Sequence, residues 1–411
     1  MTQAFDFAPL LPADLPPAAV RFTGLPKYNF TGGNNDAAEV PVDDLIAAAT
    51  ASLKREGRNL ATYNVAHGPQ GYRPLREFLV TKLKRDVGIA CSIDEITVLS
   101  GSTQALDLVN GALLTRGDTV ICERDNYQSS LTRFARRGVT ATGIPLDGDG
   151  MRMDALEAAL QDCKARGVRP KMIYTIPTVQ NPTATIMPEP RRLEMIRLSE
   201  QYGVPIFEDD CYSDLIWDGK RPPALYALAK SGNVIHCGSF SKSIAPALRV
   251  GFLVAPWSIM SRMLPLKTDA GSGSVEQMML AEYCAPHFAA HLPVLRKALR
   301  KKVETLMEAL NEQFGTAAEF EDPKGGIFLW VKLPDNVDSM KLYQAALKEG
   351  VAINPGPEWS TDKQHATPRL RLCFASPTHE QIREGVAILA EVCRREFGVP
   401  TRSANIQKAR A

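Results

Sequence analysis

Residues 238–251 read GSFSKSIAPALRVG. Lys242 and Arg249 are the only formally charged side chains between Val234 and Pro256, in a segment otherwise made of small, apolar and hydroxyl residues. A buried cation without a counter-charge is costly. Either both side chains snorkel to solvent, or an anionic ligand meets them. The flanks NVIHCG (233–238) and VGFLVAP (250–256) are short apolar runs, the pattern of strands buried on both faces. EITVLS (95–100), DTVICE (118–123), KMIYTIP (171–177) and VPIFED (204–209) read the same way. Between most of them lie amphipathic stretches such as DALEAALQDCKAR (154–166) and RRLEMIRLSEQYG (191–203). Strands joined by helical crossovers predict an α/β fold with a mostly parallel, doubly wound sheet.

From about residue 276 the pattern changes to a long helical run ending in LRKALRKKVETLMEALNEQF. IFLWVKLP (327–334) and PRLRLCFA (368–375) follow, which predicts a smaller α+β domain. The expected division is an N-terminal arm over 1–30, a large domain over 31–285, a small C-terminal domain over 286–400 and a solvated tail over 401–411. The first part of the large domain is free to pack with the small one. The arm carries prolines at 9, 12, 16, 17 and 26 and reads as irregular.

With 411 residues, the chain can build two sizeable cores. Lys plus Arg is 48 against 46 Asp plus Glu, a near-neutral balance that speaks against a nucleic-acid-binding surface as the main business. No apolar run approaches the roughly 18–20 residues of a membrane span. MTQAFDFAPL lacks the basic and apolar regions of a secretion signal. Eight scattered cysteines, with no CxxC and no metal-ligand spacing, read as free thiols of a cytoplasmic protein.

In open α/β sheets ligands sit beyond the carboxyl ends of the strands. After EITVLS come Gly101, Ser102 and Thr103 at a helix start, either ordinary caps or a phosphate cradle. After DTVICE comes Tyr127, a loop aromatic or a ring to stack on a planar ligand. After KMIYTIP comes Asn181 in an Asn-Pro turn. After VPIFE come Asp209 and, three residues on, Tyr212. After NVIHCG come Ser239, Ser241, Lys242 and Arg249. Singly each signal is ordinary; jointly they match one ligand. A lysine in a desolvated, cation-rich site is a nucleophile toward carbonyls and forms an imine. Arginine and hydroxyls suit phosphate oxygens. A carboxylate keeps a ring nitrogen protonated. An aldehyde carrying a phosphate, a ring nitrogen and a ring hydroxyl is pyridoxal 5'-phosphate, an electron sink for carbanions next to an amino group.

SFSKSIAPALRVG, QNPT (180–183), EDDCY (208–212) and GGIFLWVKLP (325–334) fall in the order and spacing of a known family. From about Phe30 to Phe397 the chain resembles fold-type I pyridoxal-phosphate enzymes, aminotransferase class I/II, in the branch of 2-aminoadipate, kynurenine and aromatic aminotransferases and MocR-type proteins. The resemblance implies Lys242 as imine lysine and proton shuttle and Asp209 as partner of the ring nitrogen. It implies Tyr212 and Asn181 as ring-oxygen contacts, and Ser102, Thr103, Ser239, Ser241 and Arg249 as phosphate contacts. Arg371 in RLRLCF resembles the arginine that clamps the substrate α-carboxylate, with Arg369 the rival, and Gly33 in NFTGGNND resembles a glycine beside that carboxylate. It further implies a homodimer acting on amino-acid and 2-oxo-acid substrates, with no nucleic acid and no membrane. Three departures stand out. Ala184 and Ala247 replace glycines usual in the family. In YNVAHGPQGYRPLRE (63–77), Ala66 sits where a tyrosine reaching a partner's phosphate is expected, which leaves Tyr63 and His67 as the loop's remaining candidates.

The implied reaction is transamination through a Lys242 aldimine, from an L-amino acid, aromatic or long-chain, to a 2-oxo acid such as 2-oxoglutarate. The same fold supports C–S lyases, decarboxylases and racemases, since bond choice depends on orientation above the ring. A non-catalytic ligand-sensing module is the remaining alternative; only about thirty Pro-rich residues precede the fold, against the DNA-binding domain such regulators carry. Arg21, in the arm segment RFTGLPKY, is a candidate reader of a second carboxylate.

Overall fold

The structure, a computed structural model, describes residues 5–12, 15–218 and 220–401. Parts of the expected arm and nearly all of the expected tail, from 402 on, lie outside the described residues. The main sheet has seven strands: β1 (Ile96–Leu99), β2 (Thr119–Glu123), β3 (Thr140–Ile144), β4 (Ile173–Thr175), β5 (Ile206–Asp209), β6 (Val234–Ser239) and β7 (Gly251–Val254), in the order β1-β7-β6-β5-β4-β2-β3. All neighbours run parallel except β7, which is antiparallel to both β1 and β6. The inner strands are mostly apolar because both faces are covered. Val120, Tyr174, Phe207 and Ile235 enter one core cluster while Ile121, Ile173, Ile206 and Val234 enter the other. Edge strand β3 reads TATGI and is half-exposed, so it lacks the apolar run by which the others are recognised.

A 41-residue helix, Ser274–Phe314, links the two halves. Its first part packs Met278, Phe288 and Leu292 beside the helix Arg73–Val87. Its second part packs Leu295 through Phe314 into the C-terminal core. The expected boundary at 285/286 therefore falls inside a continuous helix that serves both cores. The C-terminal sheet consists of β8 (Phe328–Lys332), β9 (Asn354–Pro355) and β10 (Arg369–Cys373), antiparallel with β10 central. Tyr28–Asn29 pairs in parallel with Val351–Ala352, and Phe30 is fully buried in the same core. So the segment just before residue 31 packs with the C-terminal half, while the apolar arm residues Val20, Phe22 and Leu25 are exposed. Among the described residues no helix is long and apolar enough to cross a membrane.

Candidate functional site

The carboxyl ends of β1, β2, β4, β5 and β6 converge on a cavity of about 390 Å³. Its lining includes twelve of the residues named above as site candidates: Gly33, Ser102, Thr103, Tyr127, Asn181, Asp209, Tyr212, Ser239, Ser241, Lys242, Arg249 and Arg371. It also includes Gln128, Ile176, Cys211, Asn354 and Trp359, which the sequence did not single out.

Lys242 Nζ donates to the Gly33 carbonyl at 2.8 Å. Gly33 lies so near that a Cβ there would stand 2.4 Å from Nζ. Burial lowers the Lys242 pKa, and the charges of Arg371 and Arg249 push the same way. Asp209, at the end of β5, accepts the Tyr174 hydroxyl on Oδ2 at 2.8 Å, and Ser130 Oγ supports that hydroxyl at 2.9 Å. Asp209 Oδ1 is buried and has no protein donor. Burial raises the Asp209 pKa, while hydrogen bonds from Cys211 and Tyr174 counter part of this.

Beyond β1, Gly101 takes φ +89° so that the chain can turn into the helix Ser102–Leu113. A Cβ at Gly101 would lie 2.3 Å from Arg249 Nη2. Arg249 bridges Ser241 Oγ at 3.4 Å, Pro246 O at 3.2 Å and Ser100 O at 3.1 Å. Ser239 Oγ accepts from the Ser241 N–H at 3.0 Å. This cluster of hydroxyls, helix-start N–H groups and one guanidinium offers the donors that a phosphate group needs.

On the opposite wall, Arg371 of β10 donates to Asn181 Oδ1 at 3.1 Å and to Gly32 O at 2.8 Å. Asn181 Nδ2 donates to the Tyr212 hydroxyl at 3.2 Å. Burial drives the Tyr212 pKa well up, against the Arg371 charge. The Arg371 guanidinium lies 3.8 Å from the Trp359 ring centroid, and Trp359 meets Tyr127 with centroids 5.9 Å apart. Arg369 is outside this cavity; it donates to the His365 carbonyl and lines an outer cleft. Tyr63 is 81% exposed. His67 accepts from the Arg73 N–H and packs on Tyr72; neither Tyr63 nor His67 lines the cavity. Arg21 is exposed and likewise absent from the lining. Ala184 is more than a size-for-size exchange for glycine, since it holds φ +60° in the left-handed region. Ala247 sits in an ordinary turn of the Pro246–Leu248 segment.

These residues fit pyridoxal phosphate. Among the described residues, Lys242, Arg249 and Arg371 have no carboxylate partner within ion-pair distance, and Asp209 is the one acidic side chain lining the cavity. The site thus holds three cations in search of anions and one carboxylate oxygen in search of a donor.

Residues 26–389 match the family described as aminotransferase class I and II, and the chain belongs to that family. It shares 31% identity with the 2-aminoadipate transaminase of Thermus thermophilus, over 89% of this chain and 90% of that one. With the uncharacterized HTH-type transcriptional regulator YdfD of Bacillus subtilis it shares 35% identity, over 88% of this chain and 74% of the relative. Among solved structures, Pyrococcus horikoshii kynurenine aminotransferase superposes with a TM-score of 0.84 at 31% identity, covering 91% of this chain and 92% of that one. Thermus thermophilus LysN, an α-aminoadipate aminotransferase complexed with N-(5'-phosphopyridoxyl)-L-leucine, superposes with a TM-score of 0.82 at 30% identity, covering 90% of this chain and 93% of that one. The fold is that of fold-type I pyridoxal-phosphate aminotransferases, and pyridoxal phosphate is the cofactor of this family.

Proposed function

We propose that the chain moves the amino group of a neutral L-amino acid, aromatic or long-chain, to a 2-oxo acid such as 2-oxoglutarate, with Lys242 as proton carrier. The convergence of three unpaired cations and one orphaned carboxylate oxygen carries this reading. Pyridoxal phosphate, when bound, supplies the aldehyde that takes the amino group and the ring that accepts electrons from Cα. Lys242 Nζ would hold it covalently, and Asp209 Oδ1 would face the ring nitrogen. Tyr212 and Asn181 would reach the ring oxygen. Ser102, Thr103, Ser239, Ser241 and Arg249 would hold the phosphate, and Tyr127 would cover the ring.

Arg371 grips the donor α-carboxylate through its planar fork and so aims the Cα–H bond at Nζ. The Trp359 ring lies against the guanidinium and helps to hold it in place. Lys242 Nζ, whose pKa burial and the neighbouring Arg371 and Arg249 charges lower, takes the proton from Cα. The remaining walls are Gln128, Ile176, Asn354 and Trp359, which carry no charge and so favour a neutral donor side chain. We further propose that the large and small domains divide within the long helix, and that the enzyme works as a cytoplasmic homodimer whose partner lies near the exposed Tyr63 loop. Eight free thiols and the absence of a membrane-crossing helix among the described residues support the first setting.

A half-reaction screen tests the function. Neutral aromatic and long-chain amino acids should convert the bound cofactor's absorbance, and 2-oxoglutarate should restore it. Lys242→Ala should abolish both half-reactions; normal turnover in that variant would sink the mechanism. Ammonia with pyruvate, and no glutamate, would mark a lyase instead. Conversion of absorbance without any oxo-acid product would favour the ligand-sensing reading that the regulator relative YdfD brings.

A further inference from the structure

We propose that the chain freed of pyridoxal phosphate carries, at Asp209, Cys211 and Cys237, a site for a thiophilic divalent cation such as zinc, and that this cation and the cofactor exclude each other. The ligand atoms of these three side chains all lie within 4.8 Å of one another. Tetrahedral zinc with bonds of about 2.0 Å to oxygen and 2.3 Å to sulfur needs separations of about 3.3–3.8 Å. The observed bound is wider than this, so binding requires the three side chains to draw together. Asp209 and Cys237 sit opposite each other on the parallel neighbours β5 and β6, and Cys211 follows two residues after Asp209 where the chain leaves the sheet. Cys211 lines the cavity, which gives an ion a way in and leaves a fourth position open to water. Behind the set, Tyr174 donates to Asp209 Oδ2, a supporting contact of the kind that orients metal ligands.

The carboxylate of the set is buried and half satisfied. Asp209 is 8% exposed and its Oδ1, assigned above to the ring nitrogen of the loaded chain, has no hydrogen-bond partner without the cofactor. A disulfide between the two thiols would leave that oxygen unpaired. A divalent ion satisfies all three groups at once, at the cost of releasing the two thiol protons to solvent, so binding tightens as pH rises. Neither thiol has a part in the transamination proposed above. The exclusion rests on that proposal, because it assigns the same Oδ1 to the ring nitrogen.

Titration of the full chain, stripped of cofactor, with Cd²⁺ tests the site. An ultraviolet thiolate-to-cadmium charge-transfer band should saturate at a single ion per chain, with proton release. Cys211→Ser and Cys237→Ser should each lose the band and weaken binding by more than the roughly 10- to 100-fold that loss of an outer contact costs. The half-exposed Cys91, replaced by Ser, should leave the band intact. Should Cys237→Ser not fold, protection of Cys211 from alkylation by Zn²⁺ in the unaltered chain gives the same readout. Chain loaded with pyridoxal phosphate should show no band. No band in the stripped chain, or one that survives loss of both thiols, overturns the site; an equal band in the loaded chain overturns the exclusion. Lys242→Ala should keep the band, so this outcome is read apart from any failure of the aminotransferase reading.

Discussion

Asp209 is half satisfied: Oδ2 takes the Tyr174 hydroxyl, and Oδ1 waits for a partner. A hydrogen bond to a charged acceptor contributes about 1.5–3 kcal/mol, and its loss would loosen the carboxylate proposed to face the ring nitrogen. Tyr174→Phe should lower kcat by on the order of 10-fold or more with little change in KM. It should also shift the pH at which the bound cofactor's absorbance changes. A variant with wild-type kcat and an unmoved pH profile would reduce Tyr174 to packing. Lys242, Asp209 and Arg249 were legible in the sequence because each follows an apolar run directly and its chemistry is unusual for that place. Tyr174 was not, because a tyrosine inside KMIYTIP is ordinary strand composition. Trp359 was not, because it reaches the cavity from the C-terminal half, a juxtaposition no local spacing records. Arg369 and Arg371 share a strand periodicity that cannot choose between them; the cavity does, since it takes in Arg371 and leaves Arg369 outside.

Two elements position the cofactor end of the cavity. The first is the turn at Gly101. An alanine there would be strained at φ +89° and would press its Cβ onto Arg249. Gly101→Ala should weaken pyridoxal phosphate binding to the stripped chain by on the order of 10- to 100-fold, measured by absorbance titration, as one arginine contact is displaced. The second is the turn after β5. Asp214 accepts from Lys82 at 2.8 Å and from Arg221 at 3.0 Å, and Arg221 also reaches Asp210. Burial would raise the Asp214 pKa, but those two cations outweigh it and hold it at about 2. A carboxyl depressed in the fold stabilises it above its unfolded value and stops doing so as pH falls toward the folded one. The contribution is roughly 2 kcal/mol at neutral pH. Denaturant unfolding at pH 7 should show Asp214→Asn less stable than wild type, and the gap should shrink between about pH 4 and pH 2. A gap constant over that interval would contradict the assignment. The other six strands were readable as short apolar runs and several helices from their amphipathic period, whereas β3 was hidden by its half-exposed edge position.

At the scale of the molecule, the two halves are pinned by a buried cation. Lys302 of the long helix bonds the Ala375 and Pro377 carbonyls at 2.8 Å each and Asp36 at 2.6 Å. Removing only the anion leaves the charge buried. Asp36→Ala should cost about 3 kcal/mol of unfolding free energy in urea titration, and Lys302→Met should cost less because the carboxylate it leaves, on the partly exposed Asp36, can be solvated. Equal losses would mean that the pair matters only for packing. The α/β class and the second, smaller layer were legible because their periods differ. The pairing of Tyr28–Asn29 with Val351–Ala352 was not, because a two-residue strand has no period to read. That pairing joins the beginning of the chain to its last quarter, and Asn354 reaches Phe30 across 324 positions. On a ribosome adding about 5–20 residues per second, the aromatic side chains of Tyr28 and Phe30 therefore wait roughly 15 to 65 seconds for their shelter. Nascent copies pass through that interval with sticky leading ends, and crowding of neighbouring ribosomes on one message is when they would entangle.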